Sequence, residues 1–285
     1  MTTLYESAFA KINLTLDVLG IRPDGYHDLK SVMQTVSLCD DIEIDIGTGR
    51  PWCVKCDADG VPLDQRNLAW KAAEVFFDVT GNDPEGLEIR MVKRIPSQAG
   101  LGGGSSDAAA VFRALNRHYG IPFTVQELAD LSAKVGSDVP FCVLGGTVMV
   151  EGRGEFVRKL PAMPNCPIVI CKPAFPVSTP ALYRKLDQCE MAQHPDNDAM
   201  EKAIRAGDLG AIAENVYNVF DPVVAAEHSE IDDIKSILSA HGALAQQMSG
   251  SGSAVFGIMP DRVAAISAFE KLMQSYPQTF LAETV

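Results

Sequence analysis

The sequence predicts an α+β protein built in two halves. The chain has 285 residues, and at about 150 residues per domain that length gives two modest domains, each able to bury a core. Segments with period-two apolar alternation, which read as half-buried strands, are mixed with segments of helical spacing. Pro161 and Pro164 interrupt strand pairing and helix alike. They put the junction near residues 161–166 and the expected domains at 1–160 and 161–285.

The first element alternates, with Ala8, Ala10, Ile12, Leu14, Leu16 and Val18 on one parity and Ser7, Lys11, Asn13, Thr15 and Asp17 on the other. That is a strand with one buried and one polar face. Pro23-Asp24-Gly25 supplies a turn, Ser31–Leu38 returns as a partner strand, and Ile42, Ile44 and Ile46 mark a further half-buried strand over 41–46. Residues 67–79 carry Leu68, Ala72, Val75 and Phe76 on one helical stripe. A strand over 87–95, a glycine cluster and a helix over 107–119 follow. Thr124 and Glu127 form a capping box for the next helix, which stops at Gly136. Strands at 147–150 and 155–160 flank Gly152-Arg153-Gly154 as a hairpin.

Beyond the junction, Ile168–Cys171 reads as a short buried strand, and Ser178-Thr179-Pro180 as a helix start. Helices are expected over 208–220 and 229–241. The chain ends strand (243–248), small-residue loop (249–253), strand (254–259), helix (261–275) and strand (279–282).

Composition narrows the function classes. With 37 acidic and 24 basic side chains the formal charge is −13, so a nucleic acid or an anionic membrane meets long-range repulsion. Any phosphate site must therefore be local. No apolar run approaches the ~20 residues of a membrane span, and the first residues lack a secretory pattern. Seven scattered cysteines, Cys39, Cys53, Cys56, Cys142, Cys166, Cys171 and Cys189, fit a reducing cytoplasm. Cys53-x-x-Cys56 has no second cysteine pair or nearby histidine to complete a zinc site.

The strongest local feature is Pro96-Ser97-Gln98-Ala99-Gly100-Leu101-Gly102-Gly103-Gly104-Ser105-Ser106. Its glycines remove Cβ atoms just before a helix N-terminus, where unpaired N–H groups and a partial positive charge suit phosphate oxygens. Ser105 and Ser106 add hydroxyls that can help hold magnesium. The alternative is a flexible connector with Ser106 as a helix cap. Asp107, next in sequence, is a carboxylate that competes with phosphate unless it points away. The loop lacks the Gly-Lys-Ser/Thr of a P-loop and the third glycine of a dinucleotide fingerprint.

Lys11 and Asn13 share one strand face and aim a cation and an amide at one point, as phosphoryl transfer requires; an ordinary exposed strand lysine is the alternative. Asp138 lies in Gly136-Ser137-Asp138-Val139-Pro140, where a rigidly held carboxylate can accept a hydroxyl proton, ligate magnesium, or simply cap a turn. Tyr26 and His27 offer an aromatic face and an imidazole to a flat ring, or a turn packed on its neighbour. Ser249-Gly250-Ser251-Gly252-Ser253 is either a tight hairpin or a second anion contact.

Taken together, Ala8-Phe9-Ala10-Lys11-Ile12-Asn13-Leu14, Pro96 to Ser106 and Met248 to Ser253 resemble, in order, the three motifs of the GHMP kinase superfamily. Phe9 stands where that superfamily usually has proline, and Asp107 where a neutral residue is common. Arg22-Pro23-Asp24-Gly25-Tyr26-His27 and the Gly136–Pro140 segment are similar to the branch acting on a cytidine-diphosphate-linked methylerythritol in the non-mevalonate route to isoprenoids. The resemblance implies a ribosomal-protein-S5-like N-terminal domain, a ferredoxin-like C-terminal domain, and ATP with Mg2+ as cofactors.

It further implies Lys11 and Asp138 as catalytic residues, with Asp138 the base and Lys11 stabilising the acceptor oxygen or the moving phosphoryl group. Residues 96–106 would wrap the ATP phosphates, and Asn13, Tyr26 and His27 would hold the substrate. The expected partner is a small molecule rather than nucleic acid or membrane, and the expected state a monomer or homodimer. A homoserine- or mevalonate-type kinase leaves Tyr26 and His27 without a task. A non-catalytic nucleotide sensor leaves Lys11 and Asp138 without one.

Overall fold

The computed structural model describes residues 1–120, 123–188 and 193–285, so Cys189 lies outside the described residues. The chain opens with β1 (Thr2–Asn13), β2 (Thr15–Ile21), β3 (His27–Ile46) and β4 (Cys53–Cys56), followed by α1 (Leu68–Thr80) and β5 (Leu87–Val92). Next come α2 (Gly103–His118), α3 (Val125–Ser132), α4 (Val139–Leu144), β6 (Thr147–Gly152), β7 (Phe156–Lys159) and β8 (Pro167–Cys171). The remainder runs α5 (Thr179–Leu186), α6 (Asn197–Ala206), α7 (Leu209–Glu214), β9 (Tyr217–Asn218), α8 (Asp221–Ala225), α9 (Glu230–Ala240), β10 (Ala245–Met248), β11 (Val255–Ile258), α10 (Arg262–Met273) and β12 (Thr279–Glu283).

The chain divides into two compact units, neither of which is one run of sequence. The first holds Met1–Ala10, Cys39–Ser97 and Gly102–Gly145; the second holds Lys11–Leu38, Gln98–Leu101 and Gly146–Val285.

In the first unit the second half of β3 pairs antiparallel with β5, Asp41 facing Val92 and Ile46 facing Leu87, and β4 lies parallel to β5. The strands expected at 31–38 and 41–46 are one strand, because Asp40 does not break it. Its buried carboxylate accepts the backbone N–H groups of Arg94 at 2.5 Å and Ile95 at 2.8 Å. Burying a carboxylate without such partners would cost several kcal/mol, and with them the strand continues. α1 lays Ala69, Ala72, Ala73, Phe76 and Phe77 inward against α2, which buries Ala108, Ala109, Ala110, Val111 and Phe112. The Thr124–Glu127 capping box forms as expected.

In the second unit the first half of β3 pairs with β2 and with β6, from Leu29–Gly152 to Gln34–Thr147, and β6 continues into β7 as the expected hairpin. A second sheet runs β10-β11-β8-β12, antiparallel throughout. With helices between β8 and β10 and α10 between β11 and β12, this is the ferredoxin-like arrangement. Its core joins Val169, Cys171, Leu182, Leu186, Leu238, Val255, Ala265 and Leu272.

The helix expected over 208–220 is broken. β9 interrupts it by pairing parallel with β2, Thr15 with Tyr217 and Leu16 with Asn218, and the Asn218 amide donates to the carbonyls of Met248 and Gly250 at 2.8 Å each. Long-range pairing overrides the local period here. Three short helices, α4, α6 and α8, were not expected from periodicity. α6 nonetheless carries visible signals, with Asp196 accepting the Ala199 N–H at 2.8 Å at its start and left-handed Gly207 at its end.

Candidate active site

The glycine loop is a run of alternating left-handed residues. Gln98, Gly100 and Gly102 have φ of 52°, 74° and 70°, and alternation of this kind turns successive backbone N–H groups toward a common concavity that suits anions. Ala99 and Leu101 are buried, so their side chains anchor the loop while the backbone is what the loop presents. α2 begins at Gly103, four residues before the expected Asp107. Gly103, Gly104, Ser105 and Ser106 therefore form its first turn; the amides of the first three lack intrahelical acceptors, whereas the Ser106 N–H donates to the Gly102 carbonyl at 2.8 Å. The Ser106 hydroxyl donates to the Phe9 carbonyl at 2.5 Å, which ties that turn to β1.

Lys11 and Asn13 lie on a face expected to be polar and solvated, yet Lys11, Asn13, Thr15 and Asp17 are all buried. Each has a partner. Lys11 Nζ donates to Asn13 Oδ1 at 2.5 Å, and Asn13 Nδ2 to the Ser31 hydroxyl at 2.9 Å, which in turn donates to the Thr15 carbonyl at 2.5 Å. The Lys11 N–H donates to the Leu101 carbonyl at 3.0 Å. From the C-terminal loop, the Ser249 hydroxyl accepts the Asn13 N–H at 3.3 Å and donates to the Gly100 carbonyl at 2.9 Å, and the Ala254 N–H donates to the Ala99 carbonyl at 3.1 Å. A Cβ at Gly250 would stand 3.2 Å from Lys11 Nζ. The first strand, the 98–101 loop and the 249–253 loop thus meet around one lysine.

In the first unit, Asp138 is the N-cap residue of α4 but makes no capping hydrogen bond through its side chain. Gly136 and the first-turn Gly104 both face Leu68 Cδ1, at 3.9 and 3.7 Å from where their Cβ atoms would lie. The Asp138 segment thus adjoins the start of α2.

Asp107 does not compete for phosphate. It sits one turn into α2, buried, with Lys93 Nζ 2.6 Å from one carboxylate oxygen; the same ammonium also bonds Asp40. Burial, reinforced by Asp40 and opposed by Lys93, pushes the Asp107 carboxyl up to about 7. Burial works against the Lys93 charge too, but the two carboxylates outweigh it and raise its pKa.

Tyr26 and His27 follow a tight turn closed by Gly25 N–H to Arg22 O at 3.0 Å and Arg22 N–H to Tyr26 O at 2.7 Å. The Arg153 guanidinium lies 3.5 Å over the Tyr26 ring. His27 stacks on Tyr183 with centroids 4.6 Å apart, and its Nε2 stands 2.8 Å from Asp187 Oδ1. The pair is an aromatic and imidazole surface backed by charge, more than a packed turn. Sequence reasoning missed Arg153, Tyr183, Asp187, Ser31 and Asn218. Arg153 is legible only as part of the Gly152-Arg153-Gly154 turn and the others lie in no local motif, so only their long-range partners reveal them.

Among the described residues, no group of three His, Cys, Asp or Glu side chains gathers to hold a metal ion. Mg2+ commonly takes only one or two protein ligands beside phosphates and water. The Ser105 hydroxyl and Asp138 carboxylate are donors of that kind.

The chain matches the models of the GHMP kinases N terminal domain over residues 67–146 and the GHMP kinases C terminal domain over 200–278. The phosphate-suited loop and its lysine thus sit in a small-molecule kinase of the GHMP class. The chain is 40% identical over 98% of its length to 4-diphosphocytidyl-2-C-methyl-D-erythritol kinase of Clostridium tetani, covering 99% of that protein. It is 42% identical over 97% to the enzyme of that name from Caldicellulosiruptor saccharolyticus, covering 95% of it. A crystal structure of 4-(cytidine 5'-diphospho)-2C-methyl-D-erythritol kinase superposes with a TM-score of 0.81 at 30% identity, over 98% of both chains. A homoserine kinase from Cytophaga hutchinsonii, at 18% identity and TM-score 0.78 over 100% of this chain and 95% of its own, shares the fold. The chain belongs to the 4-diphosphocytidyl-2-C-methyl-D-erythritol kinase family.

Proposed function

We infer that the protein transfers the γ-phosphoryl group of ATP to the 2-hydroxyl of 4-diphosphocytidyl-2-C-methyl-D-erythritol, a step in the non-mevalonate route to isoprenoid precursors. The observation that carries the substrate is near-complete-length identity of about 40% to kinases named for it. Phosphoryl transfer depends on positioning and on charge placed where it develops, with little covalent chemistry for the protein.

The alternating backbone of 98–102 and the first turn of α2 cradle the phosphates with N–H groups. Pro96 and Ser97 lead into that cradle, and Ser105 and Ser106 close it. Asp138 takes the proton of the acceptor hydroxyl, a role supported by its place at the N-cap of α4, in the segment beside the first turn of α2. Lys11 neutralises charge on the acceptor oxygen or the moving phosphoryl group, held in place by Asn13. Ser105 and Asp138 are the side chains that would hold Mg2+, which when bound would shield the phosphate charge. Tyr26 and His27 receive the cytosine ring, with Arg153, Tyr183 and Asp187 supporting them, and Asn13 faces the substrate.

The division into an ATP-binding and catalytic half, 1–160, and a ferredoxin-like half, 161–285, is supported by the two family models, which match on either side of it. The reducing cytoplasm is supported by the odd number of scattered cysteines, several of them, such as Cys166 and Cys171, buried as small hydrophobes. Among the described residues no helix is long and apolar enough to cross a membrane. The protein acts as a monomer or homodimer, which light scattering distinguishes.

The test is ADP release across a panel of the cytidyl-methylerythritol substrate, homoserine, mevalonate and galactose. Turnover with the first alone is expected. Turnover only with another member overturns the substrate.

A further inference from the structure

The first unit contains a cleft of about 560 Å³ that the kinase reaction does not use, lined by Trp52, Trp70, Phe77, Glu74, Asp78 and Asp83 among others. Its volume falls in the range of small-molecule sites. Trp52 and Trp70 meet at 5.5 Å between ring centroids, tilted by 56°, and Trp52 meets the edge of Phe77 at 5.6 Å. Trp70, Glu74, Phe77 and Asp78 recur along one face of α1 at helical spacing, so one helix supplies both ring wall and carboxylates.

The charge in this cleft has one sign. No lysine or arginine lines it, and none of Glu74, Asp78 and Asp83 is in an ion pair among the described residues. Asp83 spends one oxygen on the Glu85 N–H at 2.9 Å. Nor do the three carboxylates gather as a metal cage. Ring faces attract cations through their quadrupole, and carboxylates spread along a helix face suit a ligand whose charges are likewise spread out. Glu74 and Asp78 stand four residues apart, ~6 Å along the axis, a span that a short methylene chain between two ammonium groups can bridge.

We propose that this cleft binds a linear polyamine, its methylenes lying on Trp52 and Trp70 and its ammonium groups on Glu74, Asp78 and Asp83. The site is separate from the residues assigned to ATP and substrate, so it stands whether or not the substrate assignment does. The sequence holds two tryptophans, and both line the cleft, so tryptophan fluorescence, excited selectively over the tyrosines, reports on this place.

The experiment titrates the full-length protein with spermidine, followed by tryptophan fluorescence and by isothermal calorimetry, with sodium chloride and magnesium chloride at matched ionic strength as controls. A saturable signal with spermidine is expected, weakened at least about fivefold in the exposed double variant Glu74→Gln/Asp78→Asn, with ADP release in the kinase assay unchanged by the variant. Three outcomes would each overturn the proposal: no saturable heat and no fluorescence change, equal affinity in the double variant, or the same response from the inorganic salts.

Discussion

A Cβ built on Gly100 would stand 2.0 Å from the carbonyl oxygen of Ser249, although the two residues are 149 apart in the chain. The Ser249 hydroxyl completes the contact by donating to the Gly100 carbonyl. Gly100 is also left-handed, with φ of 74°, where a side chain costs about 1–2 kcal/mol before any clash. Gly100→Ala is therefore expected to lower the melting temperature by about 4 °C or more and to raise the KM for ATP. Calorimetry and steady-state kinetics check both, and an unchanged melting temperature would show that the two loops yield easily.

Asp138→Asn keeps the shape of the side chain and removes its basicity. Loss of a general base typically costs 10²–10⁴-fold, so kcat should fall by about that range while ATP affinity, measured by calorimetry, stays within about twofold. Near-normal turnover would sink the assignment.

Lys11→Met removes the cation that Asn13 holds at 2.5 Å. A fall in kcat of about 10²-fold or more is expected. Lys11→Arg should rescue poorly, because a planar guanidinium does not fit where a compact ammonium is buried. Full activity in Lys11→Met would place the transition-state charge elsewhere.

His27→Ala breaks both the stack on Tyr183 and the contact with Asp187. Since this pair is assigned to the cytosine ring, the KM for the cytidyl substrate should rise about tenfold, worth ~1.4 kcal/mol. The KM for ATP and kcat should change little, and equal shifts in both KM values would argue for a structural role.

The Asp107 carboxyl, raised by burial from 3.8 to about 7, gives a pH signature. A folded-state pKa above the unfolded one means that folding takes up a proton between about pH 4 and pH 7, so this residue makes stability fall as pH rises through that window. Asp107→Asn should flatten that part of the melting-temperature profile and stabilise the protein at pH 8, leaving Lys93 paired with Asp40. A variant whose profile runs parallel to wild type would show that Asp107 does not titrate there.

Much of the site was legible in the sequence because its chemistry is local. The glycines at 100 and 102 are needed where the backbone is left-handed, and the Thr124–Glu127 box and the Gly152-Arg153-Gly154 hairpin depend on neighbours a few residues away. The three motifs were legible as motifs. Their meeting around Lys11 was not, since the Ser249–Gly100 and Ser249–Asn13 hydrogen bonds join segments with no sequence neighbourhood in common.

Residue periodicity by itself determined which strand and helix faces are apolar, and the glycine and serine spacing determined where a phosphate can be held. Tertiary structure decided what happens to the polar groups. It buried Lys11, Asn13, Thr15 and Asp17 on a face that alternation alone assigns to solvent, broke the 208–220 helix for a strand pairing with β2, and gave Asp107 the ammonium of Lys93. The physical reason is that apolar burial follows from a residue's own side chain and its period. A buried polar group is stable only with its partner, and that partner is fixed by the fold.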